Sequence, residues 1–390
     1  MTTPEQTLVR LLVNRTPLPG TAIPWPAVAE VAIQWHVGSF LLSRLDSYGG
    51  EVPAAVRTLL IHHHRQTFSR SALLAANGAR ICRVLEDQGI PVIAFKGLGV
   101  MAQLYAGSHE RSTRDVDLLV EEENLDSAVA ALSAAGLAVE HKGDLATYRE
   151  KLRELNGMVG NQSVNLHHPD WGDVDLHWRF GRNPAEELNP ARIFGRSEWR
   201  PLFGHQIRVV GPMDGLVLAA HHAIRENFNP ATMLRDVLDT QRWLERLEAL
   251  GEFDAALSHV ERCRMAEPVA AIASLLGHRG VLERLGNTSA SRDLALLFEM
   301  QMSGDSVNRD AQRLLDPREW QKMWRYGIGG VAGYQQLMSV HVPGQRVPWA
   351  ERFGRLGRIL GGLKLTKWRR WRALRTLVRV RANYQDSSNQ

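Results

Sequence analysis

Residues 90–120 read IPVIAFKGLGVMAQLYAGSHERSTRDVDLLV, and their order of apolar runs, glycines and acids decides the fold. The pattern predicts a short buried strand over 91–95, a turn at Lys96-Gly97, a helix over 98–106, a polar loop, and a second strand carrying Asp115 and Asp117. Alternate side chains of a strand share a face, so both aspartates point one way while Val116 and Leu118 point into a core. Two carboxylates held side by side repel each other unless a cation lies between them, and a divalent metal is the obvious candidate.

The rest of the chain reads as support for this stretch. A length of 390 residues with 44% hydrophobic content suits a globular protein of two to three domains. No run reaches the roughly 18 to 20 apolar residues of a membrane span. The start, MTTPEQTLVRLLVN, lacks the basic-then-apolar order of a signal peptide, so the expected location is cytoplasmic. Cys82 and Cys263 are far apart and without CxxC spacing, which argues against a disulfide framework or a cysteine-rich zinc site. They read as small buried residues. The net charge of +5 is uneven: residues 352–381 hold eleven Lys or Arg and no acid.

Taken in order, residues 1–89 form an N-terminal helical region, with helices expected over 3–14, 25–45 and 53–88. His62, His63 and His64 lie there, but consecutive helical residues point about 100 degrees apart and do not share one ion. Residues 90–211 form an α+β core. After the opening stretch come a helix over 121–135, with Asn124 as N-cap, and a strand over 137–141. Two strands over 163–168 and 173–180 follow, joined by a Pro-Asp-Trp-Gly hairpin turn, and a last strand covers 206–211. Residues 212–310 read as a helical domain, with helices at 213–227, 231–250, 253–263, 268–276 and 291–301. Residues 311–390 hold an irregular segment and a basic tail. The expected architecture is α+β: a small mixed β-sheet flanked by N-terminal helices and a C-terminal helical bundle.

An aspartate pair spaced by one residue is common on solvated strands, but three features lift this one. The apolar run Leu118-Leu119-Val120 follows at once, placing the pair at the edge of a buried strand. Lys96-Gly97 begins a helix nineteen residues before Asp115, and free N–H groups at a helix start beside a lysine suit phosphate oxygens. A second apolar-acid-apolar strand, Val174-Asp175-Leu176, follows 58 residues after Asp117. Three carboxylates on two neighbouring strands could hold two Mg²⁺ ions that bridge a triphosphate and activate an attacking hydroxyl. Asp173 lies on the same strand face as Asp175, and the hairpin register decides which of them reaches the pair.

At these residues the chain resembles the DNA polymerase β-like nucleotidyltransferase superfamily, and more closely its family of uncharacterised bacterial nucleotidyltransferases. The shared pattern is Lys96-Gly97 after a strand, Leu104-Tyr105 ending a helix, Arg111, then Asp115-Val116-Asp117-Leu118-Leu119-Val120 and Asp175-Leu176-His177-Trp178. It runs on through His221 or His222 to Arg235-Asp236, covering residues 84–276. The resemblance implies Asp115, Asp117 and Asp175 as catalytic metal ligands, Asp175 also taking the acceptor's proton. It further implies two Mg²⁺ ions, an NTP co-substrate with ATP the common case, and in-line attack of a hydroxyl on the α-phosphate with release of pyrophosphate. The acceptor would be a small molecule, peptide or protein. Lys96 and Gly97 stand where the wider superfamily has Gly-Ser, so a full charge replaces a small hydroxyl at the phosphate turn. Arg111 and Arg114 are candidates to steady triphosphate charge, or to form structural ion pairs with neighbouring acids.

Other readings are weaker. His167, His168 and His177 beside Asp170 and Asp173 invite a zinc site, but the hairpin provides no third rigid ligand. His221, Arg235 and Asp236 read as ties between helices and sheet. A sugar-nucleotide glycosyltransferase also uses an Asp-x-Asp, yet no Rossmann-like strand-helix succession precedes this one. A non-catalytic nucleotide-binding accessory protein that docks a partner through its tail is the alternative function. That tail, residues 363–381, sets Leu365, Trp368, Trp371, Leu374 and Val378 near one helical stripe among cations. It suits an acidic partner, an RNA, a membrane surface, or packing on its own domain.

Overall fold

A computed structural model describes residues 3–14, 23–105, 109–140, 163–180, 186–225 and 230–302. The irregular segment and the basic tail of residues 363–381 lie outside the described residues.

The helices of the N-terminal region are α1 (Pro4–Val9, running on into a π-turn over Arg10–Asn14), α2 (Trp25–Gln34), α3 (Gly38–Ser47) and α4 (Ala54–Glu86). The single helix expected over 25–45 is broken. Trp35 caps α2, His36 turns through the left-handed region at φ 57°, and Gly38 opens α3. Gly38 is required by packing, because a Cβ there would lie 2.6 Å from the His63 ring on α4. Periodicity carries no trace of that long-range contact.

The core follows as β1 (Ile93–Ala94), α5 (Lys96–Leu104), β2 (Val116–Leu119), α6 (Leu125–Ala134), β3 (Ala138–Val139), β4 (Ser163–His168), β5 (Gly172–His177), α7 (Pro190–Arg196), β6 (Glu198–Leu202) and β7 (His205–Val209). The strands make one mixed sheet in the order β3-β4-β5-β2-β1-β7-β6. Its centre, β2, pairs antiparallel with β1 and parallel with β5. The expected Asn124 cap starts α6 without a side-chain hydrogen bond, after a 3₁₀ turn over Glu122–Asn124. The sequence pattern does not predict β6 or α7. β6 contains Pro201 and charged Glu198 and Arg200, which an edge strand tolerates because one side of its backbone has no partner to satisfy.

Helices α8 (Pro212–Arg225), α9 (Pro230–Ala249), α10 (Phe253–Arg262), α11 (Ala266–Leu276), α12 (Arg279–Leu285) and α13 (Ser289–Met302) complete the described chain. α12, seven residues long, is another element that periodicity does not reveal. Two apolar clusters hold the molecule together. One lies between the sheet and helices α4 and α6, with Ile81, Leu85, Leu118, Leu132, Leu166 and Leu176 fully buried or nearly so. The other joins α1–α3 to the C-terminal helices through Leu8, Leu41, Trp243, Leu244 and Leu257. Cys82 and Cys263 are buried in these clusters as free thiols, and burial pushes both up to about 12.

β2 shows how the frame supports a site. Val116, Leu118 and Leu119 are each 0% exposed. At about 1.5–3 kcal/mol per buried side chain, they offset the several kcal/mol needed to take a neighbouring carboxylate out of water.

Candidate active site

The hairpin register separates the two candidate acids of β5. In the parallel β2–β5 ladder Asp117 lies directly beside Asp175, with Val116 beside Val174 and Leu118 beside Leu176. Apolar partners on one face force the two aspartates together on the other. Asp173 instead pairs across β4 with His167, whose Nδ1 lies 2.6 Å from its Oδ1. Asp115 precedes β2 on the face of Asp117. Its carboxylate accepts from Thr113 Oγ1 at 3.4 Å, and Thr113 also donates to the Asp115 carbonyl at 3.2 Å.

The cation that this crowding of acids demands comes from the chain itself. Lys96 Nζ donates to Asp117 Oδ1 at 2.7 Å, and His177 Nε2 lies 3.3 Å from the same oxygen. Lys96 is the first residue of α5 and adopts φ 48°, a left-handed conformation uncommon outside glycine. Phe95 before it is extended and its N–H donates to the Asp117 carbonyl, so β1 delivers the lysine directly over β2. Gly97 is required next: a Cβ there would meet Thr113 Oγ1 at 2.0 Å, displacing the residue that holds Asp115.

The three carboxylates are not equivalent. Burial works to raise Asp117, but the Lys96 ammonium and the His177 contact outweigh it and hold the carboxyl well below the usual range. Burial, then the Asp117 charge, pushes Asp175 up to about 7. Asp115 is raised for the same two reasons, with Lys96 opposing. One ionised aspartate and one that readily holds a proton, side by side, is the division that acid–base chemistry requires.

These groups line one wall of a cavity of about 320 Å³. Helices also line it, and they bring in residues that the sequence pattern assigns to other roles. Thr232, Arg235, Asp236 and Asp239 all line the cavity from α9. Their spacing of i, i+3, i+4, i+7 is one helical face, a polar stripe between buried Leu234 and Val237 and Leu238. His222 on α8 lies 2.8 Å from Asp236 Oδ2, so this pair ties helix to helix beside the cavity and not helix to sheet.

Arg111 and Arg114 also line the cavity, in different states. Arg111 is buried and its Nε donates to Asp239 Oδ2 at 3.0 Å, while Tyr105 OH donates to Asp239 Oδ1 at 2.9 Å. Arg114 is exposed and contacts the His36 ring. His62 pairs with Gln66 and His63 with Thr67, each one turn along α4.

Donor atoms of Asp117, Asp175 and His177 lie within 4.8 Å of one another, a set that fits a divalent ion; Asp115 is outside that group and lines the same cavity. His177 is not among the ligands expected from sequence. It sits two residues after Asp175 on the same strand face, so the period of two could have found it. Glu140, His167 and Asp173 form a second such group on the exposed surface. Glu140, just past β3, brings a third donor within reach of the hairpin pair His167 and Asp173. His168 turns away from that group: its Nδ1 accepts from the backbone N–H groups of Asp170 and Trp171, and its ring stacks on Trp171. Among the described residues no helix is long and apolar enough to cross a membrane.

No curated protein matches the chain. Among solved structures, the antibiotic-resistance factor ANT(2'')-Ia aligns with 15% identity and a TM-score of 0.34, over 53% of this chain and 96% of its own. A family model described as "uncharacterised nucleotidyltransferase" matches residues 21–279, which take in the sheet, the three aspartates and the polar stripe of α9. The chain belongs to that nucleotidyltransferase family.

Proposed function

We propose that this nucleotidyltransferase moves an NMP group, from ATP as the common case, to a hydroxyl of a small molecule, peptide or protein, using Asp115, Asp117 and Asp175. The observation that carries this reading is the parallel register that sets Asp117 beside Asp175 in a cavity wall, with Asp115 alongside. When bound, Mg²⁺ held by these carboxylates would neutralise triphosphate charge and lower the pKa of the acceptor hydroxyl.

The remaining work falls to the chain. The acceptor oxygen attacks the α-phosphorus in line, a new P–O bond forms, and the bond to the pyrophosphate oxygen breaks. Asp175, beside Asp117 in the cavity wall, is the carboxylate placed to accept the hydroxyl proton. Lys96, Gly97 and Arg114 face the same cavity, and the two cations suit phosphate oxygens. Arg111, bonded to Asp239, holds the wall in shape.

The test is transfer of labelled nucleotide from an NTP to acceptors in an extract of the source cell. Replacing Asp115 and Asp117 by Asn should abolish labelling with the fold intact by circular dichroism. Labelling that persists in the double variant defeats the proposal.

A further inference from the structure

The polar stripe of α9 carries one cation and two anions, and the anions are already taken. Asp239 accepts from Arg111 and Tyr105, and Asp236 pairs with His222. Arg235 remains. Its Nε is buried and has no hydrogen-bond partner among the described residues, and Arg111 nearby adds like-charge repulsion. Burial first, and then that neighbour, pull Arg235 down to about 10 against the opposing attraction of Asp236 and Asp239, which offset only part of the cost.

A buried donor left unfilled costs stability, and a guanidinium is a planar fork whose donors match phosphate oxygens in pairs. Lining the same cavity as the three aspartates, Arg235 offers a guanidinium to an anion that enters it. Neither other arginine of the cavity is so placed. Arg111 is spent on Asp239 and on the Ser112 carbonyl, and Arg114 is exposed on the rim against His36.

We propose that Arg235 is a phosphate-binding residue of this site, its guanidinium taking the terminal phosphates of the nucleotide and then the pyrophosphate that leaves. The assignment rests on the nucleotidyl-transfer reading above. It gives the sheet and α9 complementary roles, with acids on the sheet for the reacting α-phosphate and a cation on α9 for the polyphosphate beyond it. A neutral side chain at 235 removes a penalty from the ligand-free protein and a contact from the complex. The same substitution therefore has opposite effects on the two states.

The experiment uses the full chain with Mg²⁺ and inorganic pyrophosphate, followed by calorimetry and by thermal unfolding, and then ATP kinetics. Arg235→Met should unfold at the same temperature as the parent or higher without ligand. It should bind pyrophosphate at least tenfold more weakly, lose the pyrophosphate-induced rise in Tm, and raise the KM for ATP by a similar factor. Arg235→Lys, which keeps the charge without the fork, should fall between. A ligand-free Tm well below the parent's, with pyrophosphate affinity per folded molecule retained in Arg235→Lys, marks a structural arginine and overturns the proposal. Unchanged pyrophosphate affinity in Arg235→Met overturns it equally. If the parent binds ATP and pyrophosphate and the variant matches it, the inference alone fails. If the parent binds neither, the nucleotide reading fails with it.

Discussion

Replacing Lys96 with Met tests whether the lysine acts as the resident counter-ion of the aspartate cluster. The Lys96 side chain is 25% exposed and Asp117 only 5%, with Nζ and Oδ1 2.7 Å apart. Breaking a fully buried ion pair costs about 3–5 kcal/mol, and a hydrogen bond to a charged group contributes about 1.5–3. Partial exposure of the lysine puts this pair in the lower range, and the uncovered repulsion among Asp115, Asp117 and Asp175 adds to it. A loss of about 2–3 kcal/mol follows for the metal-free protein, which at about 2–4 °C per kcal/mol for a domain of this size lowers Tm by about 5–10 °C. The assay is thermal unfolding of parent and Lys96→Met, each in EDTA and in millimolar Mg²⁺. Because a divalent ion and the ammonium compete for Asp117 Oδ1, Mg²⁺ should stabilise the variant more than the parent and recover most of the deficit. The reasoning is refuted if the two proteins unfold together in EDTA, or if the deficit is the same size with and without Mg²⁺.

Two other outcomes follow from the same geometry. Asp239→Ala leaves Arg111 buried without its carboxylate and Tyr105 without its acceptor, so stability should fall by about 3–5 kcal/mol, while the matched pair Arg111→Met with Asp239→Leu should recover most of it in denaturant titration. The pH dependence of the site carries opposing contributions, from Asp115 and Asp175, both raised, and from Asp117, depressed. Asp175, with a folded pKa of about 7 against an ordinary 3.8, binds its proton more tightly when folded, so its contribution to stability declines as pH rises from about 4 to 7. Asp117, depressed, contributes stability above pH 4 that is lost as pH falls below it. Asp175→Asn should therefore flatten the decline of metal-free stability between pH 4 and 7 and leave the acid limb in place, as read from urea midpoints across that range.

Much of this protein is legible in its sequence because local pattern and tertiary role coincide. Asp115 and Asp117 on one strand face, the apolar run behind them, and Val174-Asp175-Leu176 as a second strand all obey the period of two that a half-buried strand imposes. The hairpin is equally readable: β4 begins and ends at the expected residues, and Gly172 takes the positive φ, 88°, that the turn before β5 needs. Even the polar face of α9 is written in the spacing of Thr232, Arg235, Asp236 and Asp239, although its charges resemble ordinary helix surface until burial is known.

The order of residues alone thus establishes which side chains share a face, because that follows from the repeat of a single element. Which faces meet is a property of the folded chain. Whether Asp173 or Asp175 joins Asp117 depends on a strand register fixed by the apolar partners Val116 and Val174. That Lys96 reaches Asp117, that Arg111 is consumed by Asp239 128 residues away, and that the α9 stripe lines the same cavity as the acids are all meetings of distant segments. No local period encodes them, since they arise from burying the apolar sides of sheet and helices together, which leaves their polar faces turned toward one cavity.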